Sequence, residues 1–270
     1  PTILFTSVLI IFPFVFPPTN WFDKWHRRLG LNHLWGKKAI IIAIVGMIAF
    51  FIYGLGDYNF QKIVLKPDNV PISGMIFLVV FFTWLSMHQA YKNDERLDAG
   101  EKPDEFYEAP NDKVLVWPDL VYVELISLII MSAFLLVWSI GLPAPIEEPA
   151  NPTESPNPAK APWYFLGLQE MLVYFDPWMA GVVLPSLIIV ALMAMPYIDR
   201  SPDNSGFYSY KRRRLAISLY MFGWLVLWQL LIIVGTVLRG PNWNFFGPFE
   251  YWDVHKLEAL TNINLSEKFI

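Results

Sequence analysis

Long apolar blocks alternate with short polar connectors along almost the whole chain. Thr2 to Phe16 is apolar and stops at Pro17 and Pro18, and Trp21 to Lys38 is polar and basic. Ala39 to Gly56 is apolar and uncharged, Asp57 to Asn69 is polar, and Pro71 to His88 is apolar again, with a proline suited to a first helical turn. Lys92 to Val116 is a charged connector; Asp119 to Gly141, Trp178 to Tyr197 and Leu215 to Leu238 are three further apolar blocks. A hydrocarbon layer of roughly 30 Å takes about 20 residues of helix to cross. The pattern therefore predicts an all-α, polytopic membrane protein with about six transmembrane helices. Thr2–Phe16 is short for a crossing, and a re-entrant or interfacial segment is the other reading of it. Between the fourth and fifth blocks, Trp163 to Tyr174 has the pattern of a short amphipathic helix lying on the surface, opened by Pro162.

Composition sharpens this picture. The 270 residues are 55% hydrophobic and only 16% charged, too little charge for a soluble domain of this size. There is no cysteine, so these residues carry no disulfide, iron–sulfur cluster or thioether-linked haem. No basic patch of the kind that binds nucleic acid is present. With six spans, the connectors 17–38, 89–118 and 199–214 share one side and hold 14 of the 20 Lys and Arg residues. Basic connectors stay cytoplasmic. The loop 142–177 and the C-terminus are thus expected on the outer, non-cytoplasmic face of the membrane.

The centres of the second, third, fifth and sixth blocks contain no Asp, Glu, Lys, Arg or His. Glu124, near the inner start of the fourth, is the exception, read as snorkelling or helix-start chemistry with a quinone role at the inner face as the sharper option. An ion pump would need ionisable groups at mid-membrane. The four histidines (His26, His33, His88 and His255) sit in connectors, at a block end or in the tail. They read as solvated or interfacial, and no haem or metal ligation by this chain is expected.

The stretch Pro143 to Asp176 carries the chemistry. Pro149-Ala150-Asn151-Pro152 is followed by eight residues ending in Lys160, then by Ala161-Pro162-Trp163-Tyr164. Further on come Pro196-Tyr197-Ile198-Asp199-Arg200-Ser201 and an aromatic tail, GPNWNFFGPFEYWD. In order and spacing, these resemble the PANP, PEWY and P-F-x-D-R-S motifs of the C-terminal half of cytochrome b, which occurs separately as subunit IV of photosynthetic cytochrome b–f complexes. The resemblance covers about 116–260, giving three parts: an N-terminal three-span module of unnamed kind (1–115), a cytochrome b C-terminal domain with three spans (116–260) and a polar tail (261–270).

The resemblance implies a subunit of a cytochrome bc-type quinol–cytochrome c oxidoreductase that helps form the outer quinol-oxidation site. Quinol, with menaquinol the favoured kind, would bind at Pro162, Trp163, Tyr164, Phe165 and Leu168. It would give one electron to a Rieske iron–sulfur protein and one to haem b, with both protons released outside. A haem-carrying cytochrome b N-terminal subunit, the Rieske protein and a c-type cytochrome are the implied partners, in a complex that is dimeric in the family. The chain departs from the family at one position: the PEWY glutamate aligns with Pro162, which has neither a carboxylate nor an N–H. A proton acceptor must come within hydrogen-bond reach of the quinol. Glu170, six or seven residues beyond Trp163 and Tyr164 and broadly on their helix face, is the candidate, ahead of Glu147, Glu148 and Glu154. Two other readings remain: a non-catalytic scaffold in which Pro162 has removed the chemistry, and a transporter or channel subunit, which the uncharged span centres and lack of an internal repeat disfavour.

Overall fold

The computed structural model describes residues 2–108, 115–144, 146, 149–153, 156–198, 208–253, 256–259 and 261. Among these the chain is all-helical; the only β feature is an isolated bridge between Arg239 and Phe245. Glu147, Glu148, Glu154, the Asp199-Arg200-Ser201 motif end and His255 lie outside the described residues.

α1 (Thr2–Val15) and α2 (Asn20–Arg28) are bent by 90° across Pro17 and Pro18. Fourteen residues of helix reach about 21 Å, short of a hydrocarbon layer. α3 (Lys37–Gly54) crosses on its own. α4 (Tyr58–Val64) is a short helix in the following connector, capped by Asp57, whose Oδ1 accepts from the backbone N–H of Asn59 (2.9 Å) and Phe60 (3.0 Å).

α5 (Val70–Asp98) runs well past the expected end at His88. The segment after His88 contains no proline or glycine before Gly100, which takes φ +79° and ends the helix. α6 (Asp104–Glu108) folds back on this extension, with Asp104 bonded to Lys92 and Arg96, each at 2.6 Å.

α7 (Asp119–Gly141) matches its expected range. A 3₁₀ turn, Trp163–Phe165, leads into α8 (Leu166–Met171). A π turn at Met179–Val183 continues as α9 (Leu184–Ile198). The last crossing begins with α10 (Tyr210–Met221), passes through a π-helical segment, Phe222–Leu230, and ends in α11 (Leu231–Val237). Among the described residues, five stretches are long and apolar enough to cross a membrane, six if the bent α1–α2 pair is one span.

Among the described residues, three buried apolar clusters hold the helices together, and each joins the first 115 residues to the rest. Phe5 packs with Met171, Tyr174, Val226 and Leu231, its ring stacked on Tyr174 at 4.3 Å. Phe16, Trp35 and Met87 pack with Tyr210, Ile217 and Met221. Ile72 packs with Leu166 and Ile232. Phe5 of α1 and Ile72 of α5 therefore pack against the helix that follows Pro162. α7 buries no residue. Its apolar surface is left for lipid or another chain.

Candidate functional site

The site is built on the 3₁₀ turn and α8. Pro162 adopts φ −51° and ψ 145°, outside the helix, and its carbonyl accepts from Phe165 N at 2.8 Å to close the turn. The next three side chains face outward: Trp163, Tyr164 and Phe165 are 43%, 49% and 55% exposed. Their rings touch in sequence, Trp163 edge-on to Tyr164 at 5.7 Å and Tyr164 against Phe165 at 4.7 Å. Leu168 is half-buried against the Phe5 cluster. Of the five expected quinol-binding residues, Trp163, Tyr164 and Phe165 thus form one exposed aromatic edge, Pro162 leads into it, and Leu168 packs inward.

The edge is seated firmly. Gly167 lies so close to the π-helical segment that a Cβ there would be 3.3 Å from both the Leu227 and the Trp228 carbonyl oxygens. The Trp228 indole N–H donates to the Tyr164 carbonyl at 3.3 Å. Gln169 straps the incoming chain to the helix: its Oε1 accepts from Ala161 N (2.8 Å) and its Nε2 donates to the Ala159 carbonyl (3.0 Å).

Glu170 lies on the other face of α8, fully buried. Its carboxylate is enclosed by donors. Oε1 accepts from the Tyr174 hydroxyl at 2.9 Å and from Arg239 Nη2 at 2.5 Å. Oε2 accepts from Arg239 Nε and from the Trp243 indole N–H, both at 2.8 Å. Arg239 is also fully buried, and its Nη1 donates to the Trp243 carbonyl at 2.6 Å. Burial, with the Glu170 carboxylate beside it, pushes the Tyr174 phenol up from its ordinary value. The structure brings Pro162 to Phe165 together and sets Glu170 apart from them, inside the bundle.

Sequence reasoning missed Arg239 and Trp243 as parts of this arrangement. The signal was there: an arginine immediately after an apolar span, followed by Gly-Pro, must find a partner if the tail folds back. Trp243 carries no such signal, because nothing local distinguishes an indole that faces lipid from one that faces a carboxylate.

Lys160, the residue before Ala161-Pro162, is half-buried and donates to the Thr236 carbonyl at 2.9 Å. Burial pulls its ammonium down to about 8, with Lys66 acting in the same direction. Competitive amine labelling across pH is expected to give Lys160 a midpoint near 8, against the usual 10.5 for a solvated lysine. A midpoint at the solvated value would mean that the loop does not close over α11. Among the described residues there is no cluster of three or more potential metal ligands. His26 is buried within the connector α2, and His88 Nδ1 lies 2.8 Å from the Trp35 carbonyl.

Residues 149–248 match the family described as Cytochrome b(C-terminal)/b6/petD. The relatives of this chain include two that carry one description. One is the "Menaquinol:cytochrome c reductase cytochrome c subunit" of Geobacillus thermodenitrificans, 30% identical over 123 residues, which covers 42% of this chain and 49% of the relative. The other carries the same description in Bacillus subtilis (strain 168), 27% identical over 125 residues, covering 42% and 48%. The chain thus spans about half the length of the curated relatives it matches. No solved structure matches it.

Proposed function

We propose that this chain, whose residues 149–248 belong to the cytochrome b C-terminal family, is a membrane subunit of a menaquinol:cytochrome c reductase and supplies one wall of its outer quinol-oxidation site. The observation that carries the reading is the exposed aromatic edge Trp163–Phe165 on a rigidly seated helix. Three adjoining rings left uncovered, on a turn whose backbone is pinned at Ala161, Tyr164 and Gly167, suit a flat, apolar headgroup. An isolated interface-belt residue would need no such seat.

In this reading the chain's own contribution is binding and orientation. Trp163, Tyr164 and Phe165 hold the quinol ring and exclude water from one side of it, while Pro162 fixes the direction in which the turn enters. The redox chemistry is supplied by partners: a Rieske-type iron–sulfur protein takes one electron, and haem b on a cytochrome b N-terminal subunit takes the other. A c-type cytochrome is the final acceptor, and the whole is a dimer. These 270 residues contain no cysteine for an iron–sulfur or thioether-linked centre, which agrees with that division. The bias of Lys and Arg toward the other connectors supports an outer position for the aromatic edge, the side on which quinol protons would be released. The three N-terminal spans form a brace for the C-terminal domain at 116–260.

The test is menaquinol-driven cytochrome c reduction by the complex purified from its native membrane. Trp163→Ala combined with Tyr164→Ala is expected to raise the KM for quinol by at least tenfold at unchanged haem b content. Wild-type kinetics in that variant would refute the wall, and an unmodified complex that oxidises no quinol would leave the scaffold reading in its place.

A further inference from the structure

We infer that Glu170, Arg239 and Trp243 form a clamp that positions the Trp163–Phe165 edge, and that Glu170 serves the site through this clamp and not as its proton acceptor. The inference rests on reading that edge as the quinol wall.

A carboxylate offers about four acceptor sites. At Glu170 they are taken by Arg239 Nε and Nη2, the Tyr174 hydroxyl and the Trp243 indole. A group that removes a proton must stand within hydrogen-bond distance of it. Glu170 is fully buried on the inner face of α8, whereas the aromatic edge is on the exposed face. Protonating Glu170 would also leave the buried Arg239 without its counter-charge, a costly state in a dry interior.

The tail is bent to serve this carboxylate. Asn242 and Trp243 adopt φ 54° and 57°, two consecutive non-glycine residues in the left-handed region that L side chains rarely occupy. This turn delivers the Trp243 N–H to Glu170 and the Trp243 carbonyl to Arg239. Its first residue is held from the Pro162 side of the molecule: Asn242 N donates to Asn157 Oδ1 at 2.8 Å. Gly240 leaves room for Phe246, whose ring lies 2.4 Å from where a Cβ would stand. The clamp therefore joins four pieces at one point: the loop before Pro162, α8, the end of α11 and the aromatic tail. None of these contacts touches the exposed rings, so its influence on quinol is through their position.

A double substitution separates the two roles. Glu170→Gln strands a buried guanidinium, and Arg239→Met strands a buried carboxylate. Each single variant, compared at equal haem b content, is expected to raise the quinol KM at least tenfold. The pair Glu170→Gln with Arg239→Met removes both charges but keeps an amide for Trp243 and Tyr174. It is expected to return to within about threefold of the unmodified complex. Trp243→Phe, which deletes one N–H, should raise KM about threefold and leave kcat in place. A double variant as inactive as Glu170→Gln, with haem b intact, would overturn the inference and make the carboxylate a catalytic group. Hydrogen–deuterium exchange of residues 159–171 reads the clamp without turnover. Faster exchange in the single variants, reversed in the double, supports it even if the unmodified complex oxidises no quinol, an outcome that defeats the quinol-wall reading alone. Unchanged exchange in the single variants would remove the clamp.

Discussion

On the proposed function, Gly167→Val is expected to lower quinol-driven cytochrome c reduction by more than tenfold while haem b stays in the complex. The reason is steric and lies in backbone atoms that have nowhere to go. A Cβ at Gly167 would stand 3.3 Å from the carbonyl oxygens of Leu227 and Trp228 and 3.5 Å from Ile232 Cγ1. Alanine places one carbon at that distance, and a shift of a few tenths of an ångström accommodates it. Valine adds two methyl groups among the same oxygens, and overpacking of this kind costs about 1–3 kcal/mol. The π-helical stretch Phe222–Leu230 is what brings those carbonyls so near. α8 must therefore lift, and the Trp163–Phe165 edge lifts with it. The measurement is quinol KM and kcat for Gly167→Ala and Gly167→Val at matched haem b. A graded loss, small for alanine and large for valine, is the expected result. Equal activity in all three would mean that the edge works without its seat.

Much of this architecture can be read from residue order alone, because membrane spans are set by a single variable. A block such as Asp119 to Gly141 has no other stable arrangement in lipid, and its helix has the expected ends. The ends of other helices were less legible. α5 continues from His88 to Asp98 because the next breaker is Gly100, but an apolar count stops where charge begins. α10 likewise starts at Tyr210, before the Lys211–Arg214 run that reads as a connector. Motif spacing singled out Pro162 to Phe165, and the structure leaves all four exposed. The surroundings of Glu170 were hidden because they depend on sequence separation: its partners Arg239 and Trp243 lie 69 and 73 residues away. Helix periodicity places Glu170 on a face. It does not say that a turn of left-handed residues brings an arginine and an indole to that face.

Asp94→Ala is expected to be the most destabilising single change at the end of the bundle where α5 meets α10. α10 begins with Tyr210 and then Lys211, Arg212, Arg213 and Arg214, four cations at the helix end where the backbone dipole is already positive. Carboxylates from other helices offset this. Asp94, on α5 and 3% exposed, accepts from the Ser209 hydroxyl at 2.6 Å and from Lys211 N at 3.0 Å. Asp98 pairs with the Lys211 ammonium, and Asp23 of α2 stands 3.9 Å from Arg214 Nη2. Asp94 therefore acts as the helix cap of α10, supplied by a distant segment. Hydrogen bonds to a charged group are worth roughly 1.5–3 kcal/mol each, and alanine removes two while leaving their buried donors unmet. A net loss of about 3 kcal/mol follows, falling on the joint between the N-terminal spans and the C-terminal domain. Asp94→Asn keeps an acceptor for Lys211 N and gives up the charge, so about half of the loss should return. The check is the thermal midpoint of the purified complex, ordered Asp94→Ala below Asp94→Asn below unmodified. Because the joint is buried, the order should hold at high salt. An alanine variant as stable as the unmodified complex would show that α10 is held by its apolar contacts with Phe16, Trp35 and Met87 alone.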